Sequence, residues 1–257
     1  MKLHTQKAWK IVKEIINQSD TILEVLDSRM PNETRNKKIE KYIDKKGKEL
    51  ILVLNKADLV PEDFAKKVKE LFEYEYPTVY VSVTKRKGTR ALRKAIKLYS
   101  PMKDKIYIGV IGYPNTGKSS LINILRGRHV TSVAPIPGWT RGFQIIKLSR
   151  KFYLIDTPGV FPPENEIDLL IKGAIRPEKS DYPEKAAAYL IKKAQENCPW
   201  VFKEKYGIDI KNKSEEEVLL ELADKFKIKG EEEEKMRKAS IRLLNDWIKG
   251  KLNIYWL

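Results

Sequence analysis

The sequence has very little cysteine and no long uninterrupted apolar run. A single cysteine, Cys198, excludes an internal disulfide and any cysteine-based zinc cluster, and it fits an inert, partly buried thiol in a reducing compartment. No apolar run approaches the roughly 18 residues of a membrane span, and no charged-then-apolar leader opens the chain. We therefore expect a soluble cytoplasmic protein that makes no membrane contact and works as a monomer.

Basic residues are in excess. The chain of 257 residues carries 51 lysines and arginines against 35 aspartates and glutamates, a formal net charge of +16. Such an excess attracts polyanions and indicates nucleic acid or a ribonucleoprotein as a partner. The Lys/Glu-rich surface of heat-adapted proteins has a similar composition, so charge alone leaves both interpretations open.

Strand-like and helix-like patterns alternate over the first part of the chain. This alternation predicts a doubly wound, mostly parallel α/β sheet. The expected strands cover residues 21–27, 50–55, 78–83, 106–111, 143–148 and 152–155, and helical patterns separate them at 9–16, 35–46, 62–74, 89–99 and 118–125. Beyond Pro162 and Pro163 only helical patterns follow, at 166–175, 184–194, 215–226 and 231–248. We predict two domains, 1–163 and 164–257, of which the second is small and all-helical.

A phosphate-binding pattern lies between the apolar strand 106–111 and the helix after it. The residues Gly112-Tyr-Pro-Asn-Thr-Gly117-Lys118-Ser119 fit the pattern G-x-x-x-x-G-K-[ST]. The glycines allow backbone N–H groups and the helix N-terminus to face phosphates, so we expect Lys118 on the β- and γ-phosphates and Ser119 on Mg²⁺. The other loop residues expected to contact a nucleotide are Asn115, Thr116, Gly117 and Ser120.

A carboxylate ends the strand at 152–155. Asp156-Thr-Pro-Gly159 places it where ligands bind in open α/β sheets, so Asp156 is predicted on the Mg²⁺ side and the Gly159 N–H at the γ-phosphate. In the preceding loop, Thr140 is the predicted switch threonine that completes the Mg²⁺ coordination, and Thr131 is the alternative.

A base-reading pattern, Asn55-Lys56-Ala57-Asp58, ends the strand at 50–55. The Asp58 carboxylate can accept two hydrogen bonds from N1–H and the 2-amino group of guanine, a donor pair that adenine lacks. A buried carboxylate left unpaired would reject the wrong base, so GTP and GDP are the predicted ligands and an ATPase is the alternative. Ser82, also near a strand end, is expected to support the base, and a plain turn is the alternative interpretation.

The motifs follow one another in permuted order. Asn55 precedes Gly112, which precedes Asp156, whereas ordinary small GTPases begin with the phosphate loop. A compact α/β domain tolerates this change because its natural ends lie close together. The segment after Gly159 then leads directly into the helical domain.

With this order, the chain resembles the circularly permuted GTPases of the YlqF/RbgA type. The resemblance covers the first 163 residues, and the C-terminal helices match in position and type. Its specific marks are Pro-Asn-Thr-Gly-Lys-Ser in the phosphate loop and the stretch Asp27-Ser28-Arg29-Met30-Pro31 ending in Arg35-Asn36, similar to the family's D-A-R-x-P…R-N. It implies a GTP-gated factor of large ribosomal subunit assembly that binds pre-ribosomal particles, with the helical domain contacting ribosomal RNA.

Hydrolysis needs a group that orients water. Many GTPases place a glutamine just after D-x-x-G, but Val160 follows Gly159 here. The resemblance implies His4, in an H-x-x-K-A setting, as the catalytic group alongside Lys118 and Thr140; an inert terminus is the alternative. It also implies that Asn115 binds K⁺ beside the phosphates, unless that residue only shapes the loop.

Two functions fit these patterns. One is a slow GTPase switch whose GTP form binds pre-ribosomal RNA, and the other is a GTP-regulated binding module for a protein partner with little turnover of its own. We interpret four lysines of the helical domain as an RNA surface and the interleaved aromatic residues as core, although those aromatics would also suit RNA. The lysines are Lys192, Lys193, Lys203 and Lys205, and the aromatics are Tyr189, Trp200, Phe202 and Tyr206.

Overall fold

The computed structural model describes the backbone of residues 2–127, 144–156 and 165–257, and the side chains of residues 9–127, 145–155 and 165–257. The chain divides into two compact units, Met1–Pro162 and Pro163–Leu257. In the described part, every helix is too short or too polar to cross a membrane.

The first unit contains a six-stranded sheet with the order β3-β2-β1-β4-β6-β5. Neighbouring strands are parallel except β5, which runs antiparallel to β6. The predicted doubly wound, mostly parallel sheet is therefore confirmed. The strands are β1 (Thr21–Asp27), β2 (Glu49–Asn55), β3 (Thr78–Tyr80), β4 (Ile106–Ile111), β5 (Gln144–Lys147) and β6 (Phe152–Asp156).

Helices cover both faces of this sheet. Apolar residues at helical spacing from α1, α3 and α4 form a core against one face, and those of α5 and α6 form a core against the other. Strands that are buried on both faces need apolar residues at nearly every position, as β2 has between its end residues, whereas β1 departs from this at the buried Glu24. The helices are α1 (Lys2–Gln18), α2 (Pro31–Thr34), α3 (Lys37–Lys45), α4 (Glu62–Glu73), α5 (Thr89–Tyr99) and α6 (Lys118–Arg126).

The carboxyl ends of β1, β2, β4 and β6 meet at one edge of the sheet because these strands are parallel. From β1 the chain builds β2 and β3 on one side, and it then returns to place β4 on the other side. The strand order reverses between β1 and β4, which is where open α/β sheets bind ligands.

The second unit is all-helical in its described residues. It contains α7 (Glu166–Ile171), α8 (Pro183–Asn197), α9 (Trp200–Tyr206), α10 (Glu215–Lys225) and α11 (Glu232–Ile248). Trp247 and Trp256 stack with ring centroids 5.5 Å apart, and the Trp247 indole N–H donates to the Ile171 carbonyl at 2.8 Å. This buried pair ties the C-terminal residues and the end of α7 to α11. Cys198 is a buried free thiol whose pKa is raised by burial.

The structure differs from the sequence prediction at several places. β3 ends at Tyr80, short of the predicted residue 83, because the chain turns back through the Ser82–Lys87 bridge. α7 ends at Ile171, before the left-handed Gly173. The short helices α2 and α9 were not predicted. Among the aromatics, Phe202 and Tyr206 are core as predicted, whereas Trp200 is half-exposed.

Candidate nucleotide-binding site

The phosphate-binding loop occupies the turn between β4 and α6, and its glycines have steric reasons to be glycine. Gly112 has φ of 140°, and a Cβ there would collide with the Val25 carbonyl oxygen of β1. Gly117 has φ of 95°, and a Cβ there would collide with the Asn55 side-chain amide. The loop therefore passes close to both β1 and β2, which only glycine permits.

Lys118 begins α6 and folds its side chain back over the loop. Its ammonium donates to the carbonyl oxygens of Gly112 at 2.7 Å and Tyr113 at 2.6 Å. Burial lowers the pKa of Lys118 to about 8. Ser119 and Ser120 follow in the exposed first turn of α6, where backbone N–H groups and the helix dipole favour an anion.

Asn55 connects the base-reading motif to the phosphate loop. It ends β2, and its side-chain amide donates to the Thr116 carbonyl oxygen at 2.8 Å. Thr116 is buried, and its hydroxyl donates to the Tyr113 carbonyl oxygen at 2.9 Å. The two motifs, 61 residues apart in the chain, are thus joined by one buried hydrogen bond.

Lys56 is held by a buried ion-pair network. It adopts the left-handed conformation with φ of 60°, and its ammonium lies 2.7 Å from the carboxylate of Asp27 at the end of β1. The same carboxylate pairs with Arg29 at 2.8 Å, and both Asp27 and Arg29 are almost fully buried. Burial favours the neutral acid, but the charges and hydrogen bonds of Arg29 and Lys56 outweigh it and hold the pKa of Asp27 below its ordinary range.

The Asp27 network explains the first half of the D-S-R-M-P…R-N stretch. Asp27 lies directly opposite Asn55 in the β1–β2 register, and the Ser28 N–H donates to the Asn55 carbonyl oxygen at 2.8 Å. These contacts fix where β2 ends and how its last residues turn. The stretch therefore belongs to the base-reading corner, which we define as Asp27, Arg29, Asn55, Lys56 and Asp58.

Asp58 lies in a single 3₁₀ turn, Ala57–Leu59, just beyond β2. One of its carboxylate oxygens, Oδ1, is buried and has no hydrogen-bond partner among the described residues. A cavity of about 690 Å³ opens beside it, with Ser82 also in its wall. The Ser82 hydroxyl accepts the Lys85 N–H at 3.0 Å, which shapes the turn that faces the cavity. A desolvated acceptor that lacks a donor is the arrangement expected of a site that binds a donor-bearing ligand.

The second half of the stretch anchors α3. Arg35 lies between Glu40, at 2.7 Å, and Glu75, at 3.0 Å. Asn36 caps α3 by accepting from the Ile39 N–H at 3.1 Å, and its own N–H donates to Glu24 at 3.0 Å. Burial, and then the charge of Glu40, raises the pKa of Glu24. Arg35, Asn36 and their partners lie in the layer formed by α1, α3 and α4. Their role is therefore to hold this helical layer against the sheet.

Several predicted site residues lie outside the described residues. These are Thr140, its alternative Thr131, Gly159 and Val160. The backbone of Asp156 ends β6 and pairs with Gln144, and His4 falls within α1, but their side chains are also outside the described set. Asn115 is exposed and left-handed, with φ of 61°.

The structure brings Asn55, Lys56, Asn115, Thr116, Gly117, Lys118 and Ser119 to the carboxyl edge of β1, β2 and β4. Sequence reasoning did not assign Asp27 and Arg29 to the site. The available signal was an acidic residue at the end of a mostly apolar strand, followed by a basic residue two positions later.

Two family models match the chain. The model described as "RsgA GTPase" matches residues 2–166, and the model described as "50S ribosome-binding GTPase" matches residues 107–229. In fold, the chain is similar to the GDP-bound structure of TM YlqF, with a TM-score of 0.68 and 23% sequence identity over 96% of this chain and 97% of that one.

The similar curated proteins include one from an archaeon and several from fungi. An uncharacterized GTP-binding protein of Methanocaldococcus jannaschii is 42% identical over 250 residues, which is 96% of this chain and 66% of that protein. Nucleolar GTP-binding protein 2 of Saccharomyces cerevisiae is 39% identical over 76% of this chain and 42% of its own length. The Schizosaccharomyces pombe protein of the same name is 36% identical over 98% of this chain and 48% of its own length. The chain thus spans less than two thirds of the length of these relatives.

Proposed function

Because the chain belongs to the RsgA GTPase family and carries its motifs in the circularly permuted order, we propose that it is a GTP-binding and GTP-hydrolysing switch of large ribosomal subunit assembly. In its GTP form the protein binds the pre-ribosomal particle and its RNA, and hydrolysis releases it. The proposal places the protein in the cytoplasm as a monomer. The names of the matching family, "50S ribosome-binding GTPase", and of the nucleolar relatives support this direction.

The observation that carries the proposal is the state of Asp58. Its Oδ1 atom is buried without a hydrogen-bond partner in the described structure, beside a cavity large enough for a base. N1–H and the 2-amino group of guanine supply the two donors that a carboxylate accepts, whereas adenine would leave it unsatisfied. Asn55 ties this corner to the phosphate loop, so base and phosphates are recognised by one connected unit.

The chain's own residues fit a Mg²⁺ ion beside the phosphates. Ser119 presents an exposed hydroxyl in the first turn of α6, and Asp156 ends β6 at the same edge of the sheet. In this proposal Ser119, Asp156 and Thr140 hold the metal. A bound Mg²⁺ would neutralise part of the phosphate charge. Asn115 is the residue proposed to hold a K⁺ ion beside the phosphates.

Hydrolysis in this proposal relies on positioning. Lys118 offers its ammonium to the phosphates, and Thr140 would complete the Mg²⁺ coordination when the γ-phosphate is present. Val160 supplies no polar atom to orient water. We assign that task to His4, at the start of α1, and expect turnover to be slow until the ribosomal partner is bound.

The helical unit is the proposed RNA-binding domain. Lys192, Lys203 and Lys205 are exposed, whereas Lys193 pairs with Glu196 at 3.8 Å and lies over the Tyr189 ring. Exposed lysines beside the half-exposed Trp200 offer phosphate contacts and a stacking surface.

The test is GTP hydrolysis measured with and without large ribosomal subunits, together with co-sedimentation in GTP and in GDP. We expect stimulation by the subunits and retention only with GTP. If the subunits neither stimulated GTP hydrolysis nor co-sedimented with the protein, the proposed role in subunit assembly would be wrong. If ATP displaced labelled GDP as effectively as GTP does, the assignment of guanine as the base would be wrong.

A GTP-regulated binding module for a protein partner is the second candidate. The observation that favours it is Val160 in the place of a water-orienting residue. This candidate predicts GTP binding without turnover under every condition, and retention of a protein partner that does not depend on RNA.

A further inference from the structure

The outer face of α5 and the segments flanking it carry an unusual concentration of positive charge. Between Lys85 and Lys105 the sequence has nine lysines and arginines and a single acidic residue, Asp104. This segment thus supplies about half of the chain's formal net charge of +16. It belongs to the sheet-containing unit, so it is separate from the helical RNA-binding domain proposed above.

Arg90, Lys94 and Lys97 form one stripe on α5. Their spacing of four and then three residues places them on one side of the helix, and all three are exposed. No ion pair with another residue of the described structure involves any of them. Arg93, on a neighbouring position, is already used: it donates to the Leu125 carbonyl oxygen at 2.8 Å at the end of α6.

Arg90 and Lys94 are unfavourable for the helix itself, whereas Lys97 in the last turn suits the helix dipole. Like charges four residues apart repel, and a basic residue in the first turn opposes the helix dipole. α5 has no acidic residue in its first turn, where Arg90 lies. Charges that weaken their own helix indicate that something outside the helix uses them.

α4 shows what a solvated surface helix looks like in the same chain. It pairs Lys66 with Glu62 at 2.9 Å and Lys69 with Glu73 at 2.6 Å. Its first turn carries two acids, as the helix dipole favours. A surface adapted to heat or solubility would follow this pattern of paired charges, and α5 does not.

Exposed apolar and aromatic groups lie at the C-terminal end of α5, where Tyr99 is about half a turn round the helix from the stripe. Leu98 is 65% exposed, Tyr99 is 43% exposed, and Met102 is fully exposed. Phosphates pair with the cations, and an unstacked base stacks on an exposed ring. Acidic proteins would satisfy the cations as well, but they do not need the aromatic ring.

We propose that an RNA-binding surface runs along the Arg90–Lys94–Lys97 stripe and round the C-terminal end of α5 to Tyr99, on the sheet-containing unit and additional to the helical domain. The proposal rests on the ribosomal function proposed above, which it extends by naming where the RNA lies on this unit.

The test compares two triple variants that remove the same charge. One is Arg90→Gln/Lys94→Gln/Lys97→Gln on α5. The other is Lys38→Gln/Lys41→Gln/Lys45→Gln, an exposed stripe on α3, on the opposite face of the sheet. The probe is fluorescein-labelled poly(U) of about 30 nucleotides, longer than the ~4–16 nucleotides that a single-strand site covers. Anisotropy is recorded at several KCl concentrations.

We expect the α5 variant to lose at least about tenfold in affinity at ~0.1 M salt, and the slope of log K against log[salt] to fall by about 2. The α3 variant should stay within about threefold of the unaltered chain, and Tyr99→Ala should lose about tenfold. Thermal stability of the α5 variant should be unchanged or higher because like-charge repulsion is relieved, so unfolding cannot imitate the result.

Equal losses in the two triple variants would overturn the proposal, since they would show that only bulk charge matters. Polyglutamate of equal charge is added as a competitor. If it displaced poly(U) as effectively as unlabelled RNA does, the RNA proposal would be overturned in favour of an acidic protein partner. Co-sedimentation with large ribosomal subunits is followed in parallel. If α5 bound poly(U) but the protein did not co-sediment with the subunits, the RNA-binding surface would be supported. The role in ribosomal subunit assembly would then be overturned.

Discussion

The base-reading corner and the phosphate loop lie at the same edge of the sheet but are held by different forces. The corner is fixed by charged side chains, with Asp27 between Arg29 and Lys56. The loop is fixed by its backbone, and its one charged side chain, Lys118, rests on carbonyl oxygens of the loop itself. In the function proposed above, the corner is therefore built before the base binds, whereas Lys118 would exchange its carbonyl partners for phosphate oxygens.

The largest effect should come from the atom that reads the base. In Asp58→Asn an amide donor replaces one carboxylate acceptor, so guanine loses a partner, and the 2-oxo group of xanthine gains one. We expect GTP affinity to fall about 10³-fold and xanthosine triphosphate to become the preferred ligand. Competition against labelled GDP measures both, with Asp63→Asn on the exposed face of α4 as the control. A variant that still prefers guanine would contradict the role given to Asp58.

The phosphate loop should respond next, and to pH. Lys118→Met should lower GTP affinity about 10²-fold, because a charged donor to the phosphates is lost. The pKa of Lys118 is about 8, and bound phosphates would raise it, so binding takes up a proton above that pH. Affinity of the unaltered chain should be greatest below pH 8 and should weaken by up to about tenfold per pH unit above it.

Calorimetric titrations with GTP between about pH 7 and pH 9 check this slope. Guanine itself begins to lose its N1 proton near the upper end of this pH range. Because Lys118→Met lacks the titrating ammonium, its pH dependence reports the contribution of guanine alone. An equal slope in the variant and the unaltered chain would assign the titration to the base and remove Lys118 from it.

Asp27→Asn should affect stability more than binding. It leaves the buried Arg29 and the partly exposed Lys56 without their counter-charge, so we expect a loss of about 3 kcal/mol in the free energy of unfolding and about tenfold in GTP affinity. The pKa of Asp27 is lowered in the folded chain, so its contribution is complete above the unfolded value of about 3.9 and is lost as pH falls toward the folded value. Urea unfolding at neutral and acid pH should show that the difference in free energy of unfolding between the unaltered chain and Asp27→Asn narrows below about pH 4. A difference that stays constant with pH would argue against an ion-pair origin.

The smallest effect should come from an exposed partner in the frame of the sheet. Glu75 is half-exposed and shares Arg35 with Glu40, whose side chain is buried. Glu75→Gln should therefore cost less than about 1 kcal/mol, whereas the comparison variant Glu40→Gln should cost about 3 kcal/mol. Similar costs in urea unfolding would show that burial does not separate the two carboxylates.

Much of the fold could be predicted because apolar strands and amphipathic helices leave clear periodic patterns. The bounds of β1, β4 and α5 agree with the sequence prediction to the residue. The predicted β3 was too long, since its last residues form a turn whose bridge is not visible in a local pattern. α9 was missed because its seven residues span less than two helical turns.

The candidate site was only partly predictable. The residue types of the phosphate loop and the Asn55–Asp58 motif indicate their chemistry directly. The roles of Asp27 and of Asn55 as a bridge depend on which side chains meet across strands, and strand order is not written in spacing. Gly117 is required by the Asn55 amide, 62 positions earlier in the sequence, a constraint that only the folded chain reveals.

The pairing of β1 with β4, which joins the first three strands to the last three, has a consequence for synthesis of the chain. Ribosomes make proteins from the N-terminus, so every residue of the base-reading corner emerges before Gly112 exists. A nascent chain can therefore form the guanine-reading half while it still has no means of holding a triphosphate. Only after β4 pairs with β1 over Thr21–Glu24 can Asn55 reach Thr116 and join the two halves. Guanine nucleotide can thus stabilise the completed domain but cannot guide the folding of its first half.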